Sequence, residues 1–140
     1  MNALQALADQ LRAEETPITP YVVDPAEPPE LGELVAAGPG TAAAPAEYAL
    51  VVETVREGYL LHYEQSRLLA GHDSDLALLA GDYLYALGLD RLAALNDTPA
   101  VAILSDLIST CARLQAEGNP NAIPNLWRSA AEQIATERHY

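Results

Sequence analysis

Residues Leu76 to Leu95 read LALLAGDYLYALGLDRLAAL, and this stretch decides the fold. Leucine and alanine dominate it, residues that lose little freedom on entering a helix. A strand would want more β-branched and aromatic side chains, and the whole chain has no Phe and one Trp. Asp73 is a candidate N-cap, so the spacing predicts a helix from Ser74 to Leu95. The helix is apolar nearly all the way round, which predicts the central, most buried element of a bundle. Its length would span a membrane, but Asp82, Asp90 and Arg91 argue against that.

Two features of this helix are candidates for function. Gly81 and Gly88 lie seven apart, with Ala77 four before Gly81, a stripe of small residues suited to an internal contact or a dimer seam. Asp82 is a carboxylate among Leu, Ala and Tyr, costly unless paired. No partner stands at pairing distance on its own helix. Arg67, Arg113 or a tyrosine hydroxyl is the expected partner, and the pair is either a structural tie or a remnant of a ligand site.

Working outward, a second helix is predicted from Pro45, suited to a first helical position, to Ala70 before Gly71. Val51, Val55, Tyr59, His62, Ser66 and Leu69 fall on one face, and Glu53, Glu57, Glu64 and Arg67 mostly on the other. Gly58 marks a close approach by a neighbour. After Asn96 and Asp97 make a turn, Thr98 caps a further helix with Pro99 at its first position, ending at Glu117 before Gly118. A last helix is expected from Asn125 to Arg138 with Trp127, Ala130, Ala131 and Ile134 buried. At the other end, Leu4, Leu7, Ala8 and Leu11 make a stripe on a short helix from Asn2 to Glu14.

Between these lies a proline-rich arm, residues 15–45, with one helical turn expected between Pro29 and Ala37. A segment this long either wraps a surface or is mobile, and Tyr21, Val22 and Val23 are its candidate anchors. The division is thus an N-terminal helix (1–14), an arm (15–45) and a bundle (46–140). Short turns place neighbouring helices antiparallel. The expected class is all-α: an antiparallel bundle of four main helices plus the short first one.

Twenty acidic residues face seven arginines and no lysine, a formal charge of −13. Such a chain repels phosphate backbones and anionic lipid, so nucleic-acid binding is not expected. The absence of Lys removes Schiff-base and P-loop lysines. Cys111 is single, so no internal disulfide forms, and its apolar helical setting reads as a packed thiol. No basic region followed by an apolar core opens the chain, so no signal peptide is read and the cytoplasm is the expected compartment.

The His72-Asp73-Ser74-Asp75 cluster, with His62 ten residues earlier, carries metal-ligating side chains. A predicted helix end at Gly71 separates the two histidines, and Asp73 and Asp75 already favour a helix N-terminus, so no metal site is assigned. His62 lies on an apolar face beside Tyr59, Ser66 and Leu69, the setting of a core or interface histidine. No Ser/His/Asp set, phosphate-cradling glycine loop or CxxC pair is present.

The segment Leu79-Ala-Gly-Asp-Tyr-Leu84 resembles the AGD-(Tyr or Phe)-Leu signature of trans-polyprenyl diphosphate synthases, and the similarity extends over roughly Ala46 to Gly118. The resemblance implies an isoprenoid-synthase-like, all-α fold in partial form. It also implies that the preceding helix should carry a His-Asp-Asp-x-x-Asp motif. Here Leu60-Leu-His-Tyr-Glu-Gln-Ser-Arg67 stands in its place: His62 matches, but Tyr63 and Arg67 occupy aspartate positions. Two diphosphate-bound magnesium ions need several converging carboxylates, and this run does not supply them. The family's second aspartate motif has no counterpart either.

The resemblance therefore implies a non-catalytic small component of a hetero-oligomeric prenyl synthase, with no cofactor of its own and a catalytic synthase as partner. Gly58 and Tyr59 match positions that line the family's product tunnel. The residues expected at ligand or partner contacts are Tyr59, His62, Gly81, Asp82, Tyr83 and Gly88. A self-associating scaffold bundle and a carrier of small apolar, isoprenoid-like ligands are the alternatives.

Overall fold

The computed structural model describes residues 2–136 and is all-helical. Six α-helices follow in order: α1 (Ala3–Ala13), α2 (Glu30–Ala36), α3 (Pro45–Tyr63), α4 (Ser74–Ala94), α5 (Thr98–Ala116) and α6 (Ile123–Ala135). Short 3-10 turns sit at Thr19–Tyr21 and Pro39–Thr41. No helix is long and apolar enough to cross a membrane among the described residues. Arg138 and His139 lie outside the described residues.

Local signals set most boundaries. The Asn2 side chain accepts the Gln5 N–H, and that of Asp73 accepts the Leu76 N–H, each satisfying an orphan donor of its helix. Gly118 closes α5 at φ +69°, with Asn119 N–H donating to Leu114 O and Gly118 N–H to Gln115 O, a Schellman closure. The cap of α5 is Asp97 rather than the expected Thr98: its carboxylate accepts the Ala100 N–H at 3.1 Å and the Tyr48 hydroxyl at 2.6 Å. Asn96 takes a left-handed φ of +59° in that turn, leaving Asp97 as the residue that meets the helix end.

The central helix is α3, not α4 as its sequence predicts. Eleven of the 19 residues of α3 are buried, against five of the 21 in α4. One core joins Val51, Val55 and Tyr59 of α3 to Val35 of α2, Leu104 of α5 and Trp127 of α6. A second, at the other side of α3, joins Leu4, Leu7 and Leu11 of α1 to Leu61, Leu68 and Leu84. Leu78 and Leu79 of α4 remain 51% and 67% exposed. An apolar helix at the edge of a bundle buries only the faces its neighbours reach.

The glycine stripe of α4 is used internally. A Cβ on Gly58 would come within 2.9 Å of Gly81 O, and one on Gly88 would meet Val55 and Val51. These pairings run in opposite chain directions, so α3 and α4 are antiparallel and approach too closely there for a side chain.

The arm wraps the bundle. Ile18, Val35 and Thr41 are buried, and the Val23 N–H donates to Leu68 O at 2.8 Å while the Ala70 N–H donates to Tyr21 O at 3.0 Å. The expected anchor Tyr21 to Val23 thus pairs with the chain's own 68–70 segment. The turn at Pro39–Thr41 closes over the end of α6, where a Cβ on Gly38 would collide with Ala135.

Candidate functional site

The second helix stops at Tyr63 instead of Ala70, and the site begins there. Glu53 and Glu57 are one turn apart on α3 and fully buried, so the face opposite the apolar stripe is also covered. A buried carboxylate must find a cation or donors, and residues 64–67 turn back to supply them. Arg67 Nη1 lies 2.8 Å from Glu53 Oε1, and its Nε 2.9 Å from Glu57 Oε1. The Arg67 backbone N–H donates to Glu57 Oε2 at 3.0 Å, and the Ser66 hydroxyl donates to the same oxygen. The remaining Glu53 oxygen accepts the Gly32 N–H at 2.7 Å, tying α2 to α3. Burial acts to lower the Arg67 pKa, but the pull of Glu53 and Glu57 outweighs it and holds the guanidinium above its ordinary value.

Glu53, Ser66 and Arg67 of this cluster form one wall of a cleft of about 700 Å³ between the arm, α3 and the 64–67 turn. Val23, Pro28 and Leu31 line the arm side, and Arg56 and Leu60 the α3 side. The Arg56 guanidinium carbon lies 5.2 Å from the Tyr59 ring centroid and 5.1 Å from that of Trp127, a cation–π arrangement. Burial depresses its pKa, with Glu64 opposing. Its Nη1 is buried with no hydrogen-bond acceptor.

The helical pattern does not predict the cleft, although the sequence carries a signal for it. Glu53, Arg56 and Glu57 are charges at i, i+3 and i+4 within VVETVREGYLL, a run apolar on every side.

Of the residues expected at contacts, Tyr59 packs beneath the cleft's Arg56 and the others lie elsewhere. His62, Gly81 and Asp82 do come together: His62 Nε2 sits 3.1 Å from Asp82 Oδ1, at an angle that leaves Nε2 without a hydrogen-bond partner. The contact is an ion pair when the imidazole is protonated. Asp82 is 72% exposed, so it is neither a buried tie nor paired with arginine or tyrosine as expected. The His62 ring fills the space above Gly81 and lies 5.2 Å from the Tyr85 ring.

Tyr59 is fully buried. Its hydroxyl accepts from Gln115 Nε2 at 3.0 Å, and burial, with Glu64, pushes its pKa up to about 12. Tyr83 faces α1 and donates to the Glu14 carboxylate, and burial and that bond raise its pKa to about 12. Gly88 is buried against Val55. Cys111 is buried in the main core, and burial raises its thiol pKa. No protein-family model, curated protein or solved structure matches the chain.

Proposed function

We propose that the chain is a non-catalytic, isoprenoid-synthase-like subunit that binds a catalytic prenyl diphosphate synthase and modulates it. The observation that carries this reading is the engagement of Arg67 by Glu53 and Glu57. In the resemblance through Leu79 to Leu84, Arg67 stands where the synthases place an aspartate of their first metal-binding motif. Here two carboxylates of α3 converge on the guanidinium from the turn that follows it, and all of their oxygens are bonded to protein donors. Coordinating magnesium–diphosphate requires carboxylates free to turn toward the ion. The arrangement favours a structural substitute for that site, with function exercised through a partner.

The test is co-expression of the tagged chain with a full-length prenyl synthase from the same genome. The expected outcome is co-purification and an altered product chain length on mixing. No recovery of the synthase, together with unchanged products, removes the reading.

A self-associating scaffold is the second reading, favoured by the exposure of Leu78 and Leu79 on α4. It predicts a homodimer or larger assembly by light scattering, without a synthase.

A further inference from the structure

We draw no further inference here: the strongest candidate, the apolar groove between α1, α2 and α3 lined by Ala6, Ala36, Ala49 and Leu50, is unpartnered, and nothing in the structure shows what covers it.

Discussion

Arg67 reaches back across 14 residues to place its Nη1 2.8 Å from Oε1 of Glu53, a carboxylate with no solvent exposure. The pair holds together the arm, α2, α3 and the turn after α3. Desolvating such charges is expensive, and removing one partner leaves the others buried and uncompensated. Arg67→Ala is therefore expected to destabilise the chain by about 3–5 kcal/mol in urea unfolding. Arg67→Lys should recover only part of that, because an ammonium cannot reproduce the two-pronged engagement of a guanidinium. A loss no larger than that of an exposed arginine such as Arg113 would show that the triad contributes little.

Gly81 lies directly beneath the His62 ring. Gly81→Ala forces the imidazole out of its place between Gly81 and Tyr85 and is expected to cost about 1–3 kcal/mol by overpacking. His62→Ala should remove part of that penalty in the double variant, the rest staying with the Gly58 carbonyl 3.0 Å from the new Cβ, and so give a measurable coupling energy between the sites. Strict additivity in thermal unfolding would mean that the ring is not what excludes a side chain at Gly81.

Tyr83 fastens α1 to α4 through its bond to Glu14. Tyr83→Phe keeps the ring and loses the hydroxyl bond to a carboxylate, an expected loss of about 1.5–3 kcal/mol. Amide exchange should quicken first in Leu4 to Leu11, since α1 is short and depends on that contact. Uniform acceleration throughout the chain would contradict this local role.

Buried tyrosines set an alkaline limit. Tyr59 and Tyr83 are raised from about 10 to about 12 in the fold. A group with a raised pKa holds its proton more tightly when folded, so its contribution is complete below pH 10 and is lost as pH climbs through 12. Stability is expected to fall over that window, with part of the tyrosinate absorbance appearing only as helical circular dichroism is lost. Complete tyrosine ionisation near pH 10 with the helices intact would rule this out.

The helices were legible because their signals are local. Asp73, Asn2 and Gly118 do at α4, α1 and α5 what their positions in the sequence predict. The buried stripe of α6, Trp127, Ala130, Ala131 and Ile134, is read directly from its spacing. The rank of the helices was not legible. Composition makes α4 the most apolar, yet burial depends on how many neighbours surround a helix, and α3 is covered by α1, α2, α4 and α5.

The candidate site divides in the same way. The proximity of His62 to Asp82 and Gly81 follows from antiparallel packing of adjacent helices. The cleft does not, because its walls come from the arm, α3 and a turn that the helical pattern predicts away.

By itself, then, the sequence determined the all-helical class, most of the caps and stops, and the glycine stripe through which two helices meet. Only the tertiary structure decided that α3 is central, that it ends at Tyr63, and that Glu53 and Glu57 face inward. The physical reason is that hydrogen bonding within a helix is settled among residues three and four apart. The protonated partner that makes a buried carboxylate tolerable lies ten or more residues away, and only a folded chain can bring it there.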